Sequence, residues 1–255
     1  MLVLATSGFF WFVSERWLRN PVWSLADIDP WLMPLAGLVV LAASLGIAFM
    51  LIPEYWVKIV ASALSALPFI VIFGLEPIYL GAACILVALH IKAIESVGDE
   101  VKSRITVRAK HIVRRGMSMI ILPHMLLISF AYYQTPAVKN AGKDLKLPAA
   151  ITQAIEGTTR TFLGPELEKL PAAERKKVEG QIINQAVHQI TELAKPYLHY
   201  MPPLLAFGLF LALQGLSPIF FELGSWLGLL MFLLLKKTGF IMTEEKQVKA
   251  EIIKL

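Results

Sequence analysis

Long apolar runs alternate with short charged connectors along this chain. Residues 32–52, 59–75, 77–91, 116–135, 201–221 and 223–235 hold 107 positions without an Asp, Glu, Lys or Arg, and all 43 such residues sit in the other 148. A helix rises 1.5 Å per residue and a bilayer's hydrocarbon core is about 30 Å thick, so about 20 uncharged residues make one crossing. Residues 32–52 fit that length directly. Residues 54–94 are too long for one crossing, and Glu76-Pro77 puts a charge and a helix breaker in their middle, which predicts a hairpin of helices over 57–74 and 77–94. The run 116–135 predicts a fourth crossing, ending in Tyr132 and Tyr133, whose amphipathic rings suit a membrane interface. The block 201–235 would reach roughly 52 Å as one helix. A break is therefore expected at Gln214-Gly215-Leu216-Ser217-Pro218, giving a C-terminal membrane hairpin or a re-entrant segment followed by one crossing.

Three stretches depart from this pattern. In residues 1–31 the opening MLVLATSGFFWFV is apolar with no basic residue before it, which predicts an interfacial or partly spanning helix rather than a cleavable signal peptide. Between 92 and 115 the apolar residues Ile94, Val97, Val101, Ile105, Ala109 and Ile112 recur at three- and four-residue steps, so they line one face of a helix. Lys92, Lys102, Arg104, Arg108, Lys110, Arg114 and Arg115 occupy its other faces against only Glu95, Asp99 and Glu100. That balance fits a basic amphipathic helix on an anionic membrane surface, with Lys102, Arg104, Arg108, Lys110, Arg114 and Arg115 toward lipid headgroups. The alternative is a topology-setting loop packed on its own protein.

Residues 136–200 are the one sizeable polar region, with nine basic and seven acidic residues. Pro148 suits a first helical turn, followed by the stripe Leu147, Ile151, Ala154, Thr158 and Phe162 up to Gly164-Pro165. A second helix is expected from about Pro171 with the stripe Val178, Ile182, Ala186, Ile190 and Leu193. Two helices of this size build only a small core, so the region reads as an extramembrane cap that leans on the membrane helices or on a partner. Residues 236–255 form a charged tail.

Composition narrows the class. The 255 residues are 56% hydrophobic and 17% charged, where a soluble chain carries about 25% charge. Surface helices of a water-soluble globule need charged faces, so the fold expected is all-α, a polytopic membrane helix bundle with a small helical extramembrane cap. The net charge of +5 lies beside apolar segments, where it reads as topology signal or lipid contact and not as a nucleic-acid site. Cys84 is the single cysteine, which excludes an intrachain disulfide and a CxxC site.

The run MPPLLAFGLFLAL, then LLKKTGFI and a Glu/Lys-rich ending, resembles the C-terminus of uncharacterised multi-pass membrane proteins of candidate phyla radiation bacteria. The resemblance spans about the last 55 residues. It implies a terminal hairpin and a bacterial plasma membrane, and brings no activity, substrate or site residue with it. Orientation depends on the number of crossings after Met201. With a hairpin, the cap and tail share a side and their lysines rival the 92–115 segment; with one crossing, the tail joins that segment and the charge rule is obeyed better. Residues 92–115 are placed in the cytoplasm and the cap outside.

Polar groups within membrane segments are the default candidates for chemistry. They are His90, His124 and Glu222, with Gln214 beside the expected break and Glu76 at a hairpin tip. His90 reads as an interfacial histidine. His124 follows Pro123, whose missing N–H frees a carbonyl that an imidazole N–H can satisfy. Glu222 is wet if it lies at a hairpin turn; if buried it needs a partner such as His124, which would point to an ion or proton pathway. His188 and Glu192 form a lone i, i+4 pair, and no metal site, cofactor site or catalytic constellation is expected. HExxH, GxSxG, GxGxxG and GxxxxGKS are all missing from the chain. The expectation is a non-enzymatic envelope scaffold or assembly subunit, partnered by anionic lipid and by a protein bound through the cap. The alternative is a small transporter or channel using His124 and Glu222.

Overall fold

A computed structural model describes residues 1–19, 29–103, 107–140 and 171–242. Every regular element among them is helical: α1 (Leu2–Arg19), α2 (Asp29–Leu51), α3 (Tyr55–Phe73), α4 (Pro77–Ser103), α5 (Ala109–Gln134), α6 (Pro136–Asn140), α7 (Ala172–Ala194), a 3-10 turn (Lys195–Tyr200) and α8 (Met201–Lys237). The chain is all-α, and α2, α3, α4, α5 and α8 are each long and apolar enough to cross a membrane. It divides into two compact units, one of Met1–Thr135 with Ala206–Leu255 and one of Pro136–Leu205.

Side-chain size sets the order of helices in the first unit. Trp17 meets Trp31 with ring centroids 4.7 Å apart, and Phe10 lies over Gly37, so α1 runs antiparallel to α2. A Cβ on Gly37 would sit 3.3 Å from the Phe10 Cα, which is why the α1 backbone can approach so closely there. Phe10 and Trp11 are completely buried, so α1 packs into the bundle, which favours the partly spanning helix over the interfacial one among the two expected for residues 1–31. Two large adjacent aromatic side chains, Phe10 toward α2 and Trp11 toward α3, gain more by filling the bundle interior than by lying at its surface. Residues 20–28 of that segment fall outside the described residues.

Gly74, at φ 103°, closes α3 in a backbone conformation that costs glycine little, and its N–H caps the carbonyl of Ile70. Pro77 then opens α4, where its missing N–H is harmless. Helices α4 and α5 form a second, longer hairpin. The stretch 92–115 is therefore two helices and not one amphipathic helix: α4 runs on to Ser103 and α5 starts at Ala109. Its apolar residues are shared between the arms, with Ile94 and Val97 buried on α4 and Ala109 and Ile112 on α5. Packing arm against arm removes both faces from solvent, which one helix on a membrane surface cannot do. Gly116 makes the crossing possible, since a Cβ there would lie 2.6 Å from the Val97 Cγ2. Gly46 similarly admits Val113 to the α2–α5 contact. Tyr132, expected at the interface, is buried.

Helix α8 corrects the expected hairpin. It is continuous from Met201 to Lys237 through Pro218. A turn at Gln214–Pro218 would leave several backbone groups without partners in an apolar setting, whereas one proline removes a single bond. Ala206, Leu209, Leu213, Ser217, Phe220, Gly224, Gly228 and Phe232 are buried on one face, at three- and four-residue steps. The opposite face exposes Leu204, Phe207, Leu211, Ile219, Leu223, Trp226, Leu230 and Leu234, each more than half accessible. A helix apolar all round needs an apolar surround on its free side. Gly224 packs against Met117 and Gly228 against Val113, so α8 runs antiparallel to α5.

In the second unit, α7 follows Pro171 as expected. Val178, Ile182 and Ala186 are half-buried on its apolar side, and Leu193 is exposed. The helix expected after Pro148 and most of the charged tail lie outside the described residues.

Replacing Gly116 with Val should cost about 1–3 kcal/mol through overpacking against Val97. Gly98→Ala, where an added methyl meets nothing within 4 Å, should be neutral or slightly stabilising. Thermal unfolding of both variants in the same detergent checks the contrast.

Candidate functional site

His90 on α4 and His124 on α5 come together in the middle of the first unit, with ring centroids 5.3 Å apart and both side chains completely buried. His90 is thus a core residue and not an interfacial one. The His124 Nδ1 lies 2.7 Å from the Ile120 carbonyl oxygen. A carbonyl can only accept, so this nitrogen carries the proton. The His90 Nε2 faces the same oxygen at 3.5 Å, and its Nδ1 accepts from the Ser62 hydroxyl at 2.8 Å. The Ser65 hydroxyl in turn donates to the Ser62 carbonyl at 2.7 Å, and the Ser7 hydroxyl to the Ser65 carbonyl. One chain of hydrogen bonds therefore links α1, α3, α4 and α5.

Proline works here differently from expectation. Pro123 removes the donor for the carbonyl four residues back, Met119, yet the imidazole of His124 bonds to Ile120. This is the same bond to the carbonyl four residues earlier that Ser44, Ser129 and Ser225 make on their own helices. Aromatic rings enclose the pair. Phe10 meets His124 edge-on at 5.9 Å, Trp11 lies 6.2 Å away at 29°, and Phe49 meets His90 edge-on at 5.8 Å. Among the described residues neither imidazole has a carboxylate partner, so the belt is uncharged. Within the belt, the acceptor left free by those residues is the His124 Nε2.

Glu222 is not joined to His124. Its carboxylate pairs with Arg114 and with Lys110, whose Nζ lies 3.3 Å from the Oε2. Lys110 also sits 3.9 Å above the ring of Trp226. Lys110 and Arg114 are one helical turn apart on α5, and Glu222 and Trp226 one turn apart on α8, so four side chains close one interhelical contact. These two cations, expected toward lipid headgroups, pair with α8, and the Arg114 side chain stays half exposed. The sequence held a usable signal: an acid in an apolar helix requires a cation, and an i, i+4 basic pair at the end of another spanning helix supplies two. Lys102, Arg108 and Arg115 are exposed at the same end of the bundle, while Arg104 lies outside the described residues.

His188 and Glu192 approach within 3.8 Å on α7, both well exposed. Among the described residues no group of three or more His, Cys, Asp or Glu is placed to hold a metal ion. No protein family, curated protein or solved structure matches this chain, so its chemistry is read from its own residues.

Ser62→Ala leaves the His90 Nδ1 without a donor and should destabilise the bundle by about 1 kcal/mol, the usual scale for a buried bond between membrane helices. Glu222→Gln leaves two cations facing each other and should cost about 2 kcal/mol, between an exposed and a buried ion pair. Detergent or urea unfolding midpoints measure both, and Glu222→Gln should lose part of its deficit when combined with Lys110→Gln.

Proposed function

We propose that the protein is a non-enzymatic, multi-pass subunit of a bacterial plasma membrane that acts as an assembly scaffold. One observation carries this reading: the three ionisable groups singled out within the charge-free or nearly charge-free runs, His90, His124 and Glu222, each meet a neighbouring helix. Glu222 binds α8 to α5, His90 bonds to α3 and faces α5, and His124 faces the rings of α1. Groups committed in this way serve rigidity, and a rigid bundle suits a platform better than a gated pathway.

The proposed topology follows from α8 as one crossing. The lysines at 236 and 237 then lie at the bundle end that carries Lys102, Arg108 and Arg115, and an excess of basic residues marks the cytoplasmic side. Anionic headgroups are the lipid partner proposed for those three exposed cations. Residues 136–200 are then proposed to face outside, where the apolar side of α7 with exposed Leu193, and Tyr197 on the 3-10 turn after it, is the surface proposed for a protein partner. A plasma-membrane address is what the resemblance of the C-terminal stretch implies, although the hairpin it also implies gives way to the continuous α8.

A second reading, a pathway for a small solute, draws on the unpartnered Nε2 of His124. Glu222 contributes less to it than its place in an apolar run suggests, because two cations already neutralise its carboxylate.

Chemical cross-linking in native membranes should give the full chain a discrete adduct of higher mass that is lost on deleting residues 136–200. A full chain that behaves like the deletion, alone and uncross-linked, sinks the scaffold reading. Each cation near an anionic surface contributes about 1 kcal/mol, so changing Lys102, Arg108 and Arg115 together to Gln should cut retained anionic lipid by more than about tenfold. Lipid mass spectrometry of the purified variant measures it.

A further inference from the structure

Two helices that face each other in the bundle interior carry polar atoms that no described residue satisfies. On α1 these are the Trp11 Nε1 and the Ser14 Oγ, with the Trp17 Nε1 further along beside Trp31, and on α5 the Nε2 of His124. Trp11, Ser14 and His124 are completely buried. Trp11 and Ser14 are three residues apart, which places them on one face of α1. That face meets α5, since the Trp11 and His124 rings approach at 6.2 Å with 29° between their planes.

Each atom has a fixed role. The indole N–H only donates. The His124 Nδ1 spends its proton on the Ile120 carbonyl, so the Nε2 is a lone pair seeking a donor. A serine in a membrane helix ordinarily bonds the carbonyl four residues back, as Ser44, Ser129 and Ser225 do. The Ser14 hydroxyl makes no such bond and is free to donate elsewhere. Two donors and one acceptor thus stand unmet in an apolar enclosure, where polar atoms are satisfied by ordered water far more often than left alone.

The surroundings fix the charge of what binds. Among the described residues, the rings that meet Trp11 and His124 come from Phe10, Phe69, Phe73 and His90 and supply no counter-ion for a cation or an anion. We infer that Trp11, Ser14 and His124 form an internal binding site for a small neutral molecule that donates one hydrogen bond and accepts one or two, and that this molecule is water. It donates to the Nε2 of His124 and accepts from the Trp11 indole and the Ser14 hydroxyl. The inference stands apart from the scaffold reading, since a hydrated core is compatible with a platform or a pathway.

The test is nuclear magnetic resonance on the detergent-solubilised full chain with 15N-labelled tryptophan. The Trp11 indole signal is assigned by its loss in Trp11→Phe. The expected result is a cross-peak from the Trp11 indole proton to water with the sign of a long-lived contact. His124→Phe should abolish it, while Ser62→Ala, which alters only the neighbouring histidine, should keep it. If His124→Phe does not fold, Ser14→Ala serves in its place and should weaken the same cross-peak. A Trp11 indole with no water contact in the unaltered protein overturns the proposal, as does a contact that neither His124→Phe nor Ser14→Ala changes.

Discussion

Inside a bilayer there is no water to satisfy a peptide group, and this constraint governs the rest of the structure. A helix that stays continuous meets all its own backbone bonds, whereas one that breaks must find partners for several groups at once. Helix α8 shows the choice. It carries Gly215, Ser217 and Pro218 in sequence and still runs unbroken for 37 residues, because the lost proline bond costs less than a turn in hydrocarbon. The chain reverses tightly where a charge and a proline mark the way out of the apolar layer, at Pro53-Glu54 between α2 and α3 and at Gly74, next to Glu76 and Pro77, between α3 and α4.

Side chains obey the same constraint. Lipid tails are as apolar as leucine, so membrane helices gain little by merely hiding apolar faces from one another. Close backbone contact and polar ties must hold them. Gly37, Gly46, Gly116, Gly224 and Gly228 supply the close contact. The serine–histidine belt supplies uncharged ties near the centre, and Glu222 with Lys110 and Arg114 supplies a charged one where α5 turns basic. The two kinds of tie are separated by chemistry: the fully buried belt is neutral, and the ion pairs keep part of their surface accessible.

The fold class was legible because charge-free runs of helix length fit few surroundings besides lipid. The hairpin tip at Glu76-Pro77 was legible for a local reason, the coincidence of a charge and a breaker. What escaped the sequence was which faces meet. The stripe from Ile94 to Ile112 has helical spacing throughout, yet spacing is the same for one helix and for two antiparallel arms that share it. His90, four residues from the end of its apolar run, looked interfacial because α4 was expected to stop near residue 94; the helix continues to Ser103 and carries the imidazole into the interior. Lys110 and Arg114 looked lipid-facing because their partner stands more than a hundred residues away on α8, a pairing that no local pattern encodes.

The account is tested most directly by sided labelling of single cysteines placed at Gly98, Thr135 and Thr238 in a Cys84→Ser background, using an impermeant reagent on intact and on permeabilised cells. One unbroken α8 predicts that positions 98 and 238 react from the same face and position 135 from the other. Reaction of 238 together with 135, opposite 98, would mean that the last apolar block turns back within the bilayer, and the architecture described for α8 and its tie to α5 would be wrong.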